Sequence, residues 1–154
     1  MRQGHVVDAG KSGQFHISMQ SNERDVRAAL SQVMQDLESL TLDLEQAGTV
    51  ELVLAEALNN VLEHGYANQN NTGPIDIVYS TSEDGLHFQI RDQGRPMPGG
   101  CAPVGHPPDV AVPFEHLPEG GFGWFLIQDL AEDVIYRRKG NENQLNLRIA
   151  LGAG

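Results

Sequence analysis

Both the fold and the candidate site are anchored by one stretch of sequence, EALNNVLEHGY at residues 56–66. On a helix, Glu56, Asn60 and His64 recur every four residues and therefore lie within roughly 80° of arc. The apolar residues of the same helix lie on its other side: Val50, Leu54, Ala57, Leu58, Val61 and Leu62. A carboxylate can accept a proton, and an amide oxygen is a ligand suited to Mg²⁺. Ordinary surface helices show the same pattern, so its meaning depends on the motifs found further along the chain.

Two glycine-containing segments lie C-terminal to this helix. Asp92-Gln93-Gly94 ends a predicted strand, where a carboxylate can accept a hydrogen bond from an adenine amino group and Gly94 lets the backbone approach a flat base. Gly120-Gly121-Phe122-Gly123 precedes a predicted helix, and the backbone N–H groups at a helix N-terminus favour phosphate. Between the two, Arg95 offers a positive charge to a phosphate. Each segment alone also fits an ordinary turn or loop, but their order and contexts agree with one nucleotide site.

Composition narrows the class of protein. A chain of 154 residues is most consistent with one domain, and its formal net charge of −11 disfavours direct binding to nucleic acid. No apolar run is long enough to cross a membrane, and Met1 to Gly13 lacks the hydrophobic segment of a secretory signal. Cys101 is the single cysteine, which excludes an intramolecular disulfide. We therefore expect a cytoplasmic protein whose partners are other proteins.

Hydrophobic periodicity predicts the order β-α-α-β-β-loop-α-β-β, which is typical of a two-layer α/β sandwich with a mainly antiparallel sheet. The predicted helices run from the Ser21-Asn22 cap to Gly48, from about Thr49 to Tyr66, and from Trp124 to Leu130. The predicted strands are Phe15 to Met19, Ile75 to Tyr79, Leu86 to Arg91, Val134 to Arg138 and Leu145 to Ile149. Residues 1–13 read as a flexible N-terminal arm. Residues 93–120 form a long aperiodic loop, which predicts either a mobile lid over the nucleotide or a proline-stiffened loop packed on the core.

The three motifs together resemble those of the GHKL ATPases, the superfamily of gyrase, sensor histidine kinases and mismatch-repair ATPases. Within it, the chain is most similar to the bacterial anti-sigma-factor serine/threonine kinases. The likeness covers roughly Phe15 to Ile149 and rests on Glu56-x-x-x-Asn60-x-x-x-His64-Gly65-Tyr66, Asp92-Gln93-Gly94 and Gly121-Phe122-Gly123. It implies the GHKL (Bergerat) fold, a mixed, mainly antiparallel sheet with helices on one face, as a single histidine-kinase-like ATPase domain over residues 14–154.

The resemblance also implies roles for individual residues. Glu56 would be the catalytic base, Asn60 would bind Mg²⁺ and the nucleotide, and Asp92 would recognise adenine. The other residues expected to contact the nucleotide are His64, Gly94, Arg95, Gly120, Gly121, Phe122, Gly123 and Gln144. Two departures from the family pattern stand out: Pro96 replaces a glycine of the second motif, and Asn143-Gln144 stands where many relatives carry threonine.

The function that the resemblance implies is an ATP- and Mg²⁺-dependent serine/threonine kinase acting as an anti-sigma factor. It would bind a sigma factor or similar regulator and phosphorylate a serine of an antagonist protein, and a homodimer is consistent with the same resemblance. One alternative is a non-catalytic ATP-binding switch, which would have no need of a base at Glu56. A sensor histidine kinase catalytic domain is the second alternative, and we expect it less because no phosphoacceptor helix precedes the fold in this sequence.

Overall fold

The computed structural model describes residues 5–7, 14–40, 42–65, 73–96, 110–113 and 122–151. The strands within these residues are β1 (His5–Val7), β2 (Gln14–Gln20), β3 (Pro74–Ser82), β4 (Gly85–Asp92), β5 (Val110–Pro113), β6 (Glu132–Lys139) and β7 (Glu142–Ile149). They form one sheet in the order β1-β2-β3-β4-β7-β6-β5, and every neighbouring pair is antiparallel. The helices are α1 (Glu23–Asp36), α2 (Leu44–Asn60) and α3 (Phe122–Leu130). The predicted two-layer α/β architecture is confirmed.

Rows of side chains that run across the strands build the core. One row joins Ile17, Ile77, Ile90, Leu145 and Tyr136 by direct register across five strands, and all five are buried. Because side chains alternate between the two faces of a strand, these residues share the face that the helices cover. Residues of α1 and α2, among them Val33 and Leu54, pack into the same apolar cluster.

A parallel row on the same face is aromatic and ties the sheet to α1. Phe15 stacks on Tyr79 at 5.2 Å between ring centroids, and Tyr79 stacks on Phe88 at 5.5 Å. The Tyr79 hydroxyl donates a hydrogen bond to Asp36 at the end of α1. Burial of the ring, together with this carboxylate, raises the pKa of Tyr79 well above its usual range.

The boundary between α1 and α2 differs from the sequence prediction. We expected the first helix to continue to Gly48, but α1 ends at Asp36, a 3-10 turn covers Leu37–Leu40, and α2 begins at Leu44. The cause is a capping box: the Asp43 side chain accepts from the backbone N–H of Gln46, whose own side chain accepts from the Asp43 N–H. Gly48 therefore lies inside α2 rather than at a helix end.

Two short strands fall where the sequence predicted none. β1 lies within the expected N-terminal arm and pairs with β2, while β5 lies within the expected lid and pairs with β6. Residues 1–4, 8–13, 97–109 and 114–121 are outside the described part of the chain, so the flexible arm and the lid remain predictions. Among the described residues, no helix has both the length and the apolar character needed to cross a bilayer.

Two glycines give opposite predictions for the same substitution. Gly85 follows the Glu83-Asp84 turn with φ of +129°, and a Cβ there would lie 2.3 Å from the Ile149 carbonyl oxygen. Gly48 has nothing within 4 Å of an added Cβ. Gly85→Ala should therefore lower the free energy of unfolding by about 1–3 kcal/mol. Gly48→Ala should raise it by about 0.5–1 kcal/mol, because alanine is the better residue inside a helix. Urea denaturation measures both, and similar effects of the two substitutions would contradict this backbone.

Candidate functional site

Asp92 is a buried carboxylate at the end of β4. It lies on the helix-covered face, one register row beyond Ile90, and only 6% of it is exposed. Its Oδ1 accepts from the backbone N–H of Gly94 at 2.8 Å and from Asn143 Nδ2 at 2.9 Å. Burial raises the pKa of Asp92, while the hydrogen bonds from Asn143 and Gly94 and the charge of Arg138 act in the opposite direction. Among the described residues no donor reaches Oδ2, so one carboxylate oxygen is available to a ligand.

Asn143 is the centre of the polar network around Asp92. It pairs directly with Asp92 across β4 and β7, and it is 4% exposed. Besides its bond to the carboxylate, Nδ2 lies 3.2 Å from the Gly94 carbonyl oxygen and 2.9 Å from that of Arg95. Its Oδ1 accepts from the Tyr136 hydroxyl at 2.6 Å and from Arg138 Nη1 at 2.9 Å. The same guanidinium nitrogen donates to the Gly94 carbonyl at 2.7 Å. Side chains of the β6–β7 hairpin thus hydrogen-bond to the backbone immediately after β4 and fix its position.

A small pocket lies between this network and α2. Its lining residues are Ala57, Val61, Ile90, Asp92, Arg95, Tyr136, Asn143 and Leu145. Aliphatic walls, a tyrosine ring and one buried carboxylate suit a flat heterocycle that carries an amino group. The pocket therefore has the chemistry that the sequence predicted for adenine.

The pocket residues Ala57, in α2, and Val61, directly after it, lie beside the predicted catalytic and metal-binding residues. Glu56 immediately precedes Ala57 and is half-buried, and Asn60 immediately precedes Val61 and is 6% exposed. Within the described part of the chain, Asn60 Nδ2 has no hydrogen-bond partner. Since an amide keeps its shape when nitrogen and oxygen exchange places, half a turn about its terminal torsion presents the oxygen at this position.

A buried amide with an unused end fits a Mg²⁺ ligand, as the sequence predicted for Asn60. The described residues include no group of three acidic, histidine or cysteine side chains able to hold a metal by themselves. Mg²⁺ commonly takes one or two protein ligands and completes its shell with phosphate oxygens and water. Asn60 would thus hold the ion only together with a nucleotide.

The third motif is only partly described. α3 begins at Phe122, so Gly123 lies in its first turn, and this helix packs against α2. The helix that we expected after the glycines is confirmed, but Gly120 and Gly121 and the side chains of Phe122 and His64 are outside the described residues. His64 itself falls in a π-helical segment, Val61–Gly65, that continues α2.

Gln144 is not brought to the site. Asn143 faces Asp92, so the next residue of β7 points to the opposite face of the sheet. There the Gln144 Nε2 donates to Glu142 at 2.9 Å, and Gln144 pairs in register with Arg91 and Arg137. Asn143, and not the predicted Gln144, is therefore the residue of this pair that contacts Asp92. A usable signal was present, because the alternation Asn143-x-Leu145-x-Leu147-x-Ile149 places Asn143 on the core face.

With this geometry established, comparison with known proteins identifies the class. Residues 19–149 match the family described as the histidine kinase-like ATPase domain, and the chain belongs to that family. The expected GHKL-type fold is thereby confirmed.

Within this class the chain is similar to proteins named serine-protein kinase RsbW. The protein from Bacillus cereus (strain AH187) is 34% identical over 87 residues, which are 55% of this chain and 52% of the relative. That from Staphylococcus aureus (strain MRSA252) is 31% identical over 118 residues, 75% of this chain and 72% of the relative. The chain thus spans about half the length of the Bacillus relative.

The raised pKa of Asp92 predicts how stability changes with pH. The unfolded chain loses this proton near the ordinary value of 3.8, but the folded chain holds it to higher pH, so ionised Asp92 destabilises the fold. The Asp92→Asn variant cannot ionise. Relative to the parent, it should therefore gain stability as pH rises from about 4 to about 7, in urea denaturation at a series of pH values.

Asp84 provides a control of opposite sign. Hydrogen bonds from Ser82 and His87 lower its pKa to about 2, so its favourable contribution is present above the ordinary value of 3.8 and is lost toward pH 2. Asp84→Asn should therefore be less stable than the parent at neutral pH and approach it in acid. The same pH trend in both variants would contradict the environment described for Asp92.

Proposed function

We propose that this chain is an ATP-dependent serine/threonine kinase that acts as an anti-sigma factor in a cytoplasmic partner-switching system. It would bind a sigma factor or a similar regulator and phosphorylate a serine of an antagonist protein. The observation that carries the proposal is the pocket that the buried Asp92 carboxylate lines together with Ala57 and Val61, the residues that follow Glu56 and Asn60. Membership of the ATPase family and similarity to serine-protein kinases support it.

Each part of the site has a defined task in nucleotide binding. Asp92 Oδ2 accepts a hydrogen bond from the adenine amino group, and the aliphatic residues of the pocket cover the base. Asn60 contributes an amide oxygen to Mg²⁺, which neutralises phosphate charge when it is bound. The glycine segment at the start of α3 supplies backbone N–H groups to the phosphates.

Glu56 would act as the general base of the transfer. The serine Oγ attacks the γ-phosphorus while Glu56 takes the hydroxyl proton, the new O–P bond forms, and the bond to the β-phosphate oxygen breaks to release ADP. Its place on α2, one helical turn before Asn60, would bring the carboxylate beside the phosphates that the amide helps to hold. A switch that only binds ATP would need no such group, so the kinase is favoured.

The role of Glu56 can be separated from nucleotide binding. Glu56→Gln keeps the size of the side chain but removes the base, so ATP affinity should change little while phosphotransfer falls by about 10²–10⁴-fold. The assay uses a small protein that co-purifies with the chain from its source cell, with its phosphoserine mapped by mass spectrometry. Glu51→Gln, at an exposed acid of the same helix, is the matched control. If the two variants transferred phosphate at equal rates, Glu56 would have no catalytic role.

The role of Asn60 is tested by binding alone. Asn60→Ala should weaken ATP binding in the presence of Mg²⁺ and leave the much weaker metal-free binding little changed, as measured by calorimetry with and without a chelator. Asn59→Ala, at the exposed neighbouring amide, should behave as the parent does. Equal losses with and without Mg²⁺ would assign Asn60 a structural role. Failure of the parent to bind ATP at all would overturn the proposed function.

A further inference from the structure

We propose that Asn143 is the positioning residue of the base site, where its amide holds the Asp92 carboxylate so that Oδ2 is presented to an exocyclic amino group. This inference rests on the proposed nucleotide function and adds the residue that determines selectivity for the amino group. Asn143 would act through Asp92 and would not touch the base.

The surroundings of Asn143 determine the orientation of its amide. Its oxygen faces two donors, the Tyr136 hydroxyl and the Arg138 guanidinium, and a guanidinium can only donate. Its nitrogen faces only acceptors, namely the Asp92 carboxylate and the carbonyls of Gly94 and Arg95. Exchange of the amide nitrogen and oxygen would set donor against donor and acceptor against acceptor. The –NH₂ group must therefore point at Asp92.

This orientation determines which carboxylate oxygen is free. Asn143 and the Gly94 N–H both donate to Oδ1, at 2.9 and 2.8 Å, and so fix the plane of the carboxylate at the end of β4. Oδ2 then remains as the acceptor for a ligand. The two hydrogens of the Asn143 –NH₂ group already serve three acceptors, so Asn143 has no donor left for a base.

The charged groups around Asp92 agree with this role. Arg138 on β6 and Glu142 on β7 influence Asp92 with opposite signs, and Arg95 lines the same pocket. Among the described residues, α2 and the π-helical segment after it contribute only the apolar Ala57 and Val61 to its lining. Hydrogen bonding from Asn143 is the largest of the effects that favour the ionised carboxylate, which is the form that accepts from an amino group.

Comparing two nucleotides shows whether Asn143 positions the Asp92 carboxylate or only supports the structure of the site. ADP and purine riboside 5′-diphosphate differ by the 6-amino group, and calorimetry gives both dissociation constants. The parent should bind ADP about tenfold or more tightly, as expected for a hydrogen bond to a charged group. In Asn143→Ala this preference should fall to about threefold or less, because a mobile carboxylate gains less from the amino group. Asn143→Leu, which keeps the branched shape of the side chain but has no donor, supplies the same measurement if the alanine variant does not fold.

Two further variants complete the design. Asn143→Thr retains one hydroxyl donor for Asp92 and should recover most of the preference for ADP. Asn146 lies on the same strand and accepts a hydrogen bond from Gln89 at 3.0 Å, away from Asp92, so Asn146→Ala should keep the preference of the parent. The pH below which the preference is lost should move upward in the variants without a donor, because loss of the Asn143 hydrogen bond raises the pKa of Asp92 further.

The outcomes distinguish the inference from the function on which it rests. A parent that binds neither nucleotide overturns the proposed function and this inference with it. A parent that prefers ADP, together with alanine and leucine variants that weaken both nucleotides equally, retains the function and overturns the positioning role. If Asn143→Ala and Asn143→Leu lose the preference for ADP while Asn143→Thr keeps it, the positioning role is supported.

Discussion

The site depends on the register between β4 and β7, which the apolar pair Ile90 and Leu145 sets. Because side chains alternate, the same register that buries these two residues places Asp92 opposite Asn143 on the same face, one row further along. A slip of one residue would turn Asp92 toward the uncovered side of the sheet and expose the apolar row to water. The same β4–β7 register therefore determines both the burial of the core and the assembly of the polar network, and a change of register would disrupt both.

Placing a carboxylate at the end of an apolar row has an energetic cost that the neighbouring residues reduce. Asp92 would be unfavourable there without partners, since burial opposes its charged form. The Gly94 N–H, the Asn143 amide and the Arg138 charge offset part of that cost, but one oxygen still accepts nothing from the described residues. The unused oxygen of Asp92 thus makes the free protein less stable, and a ligand that donates to this oxygen would stabilise it, as is common at binding sites.

The sequence predicted the elements and motifs well where the signal was local. Alternation located the central strands, and the spacing of Glu56, Asn60 and His64 located α2, but the Asp43–Gln46 capping box outweighed Gly48 as the boundary signal. Strands as short as β1 and β5 carry too few residues for a period to appear. The roles of Glu56 and Asn60 remain predictions. Asn143 was named only as part of the Asn143-Gln144 pair, because its importance comes from five partners that are brought together by tertiary register.

The attachment of the Gly94–Arg95 backbone to the β6–β7 hairpin has a consequence for the entropy of ligand binding. Arg138 and Asn143, on the two strands of that hairpin, hold the Gly94 carbonyl, and Asn143 also holds that of Arg95. A segment tethered at both carbonyls has already lost most of its conformational freedom during folding. Binding at Asp92 therefore meets a preorganised wall, and less of the interaction energy is spent on ordering the protein.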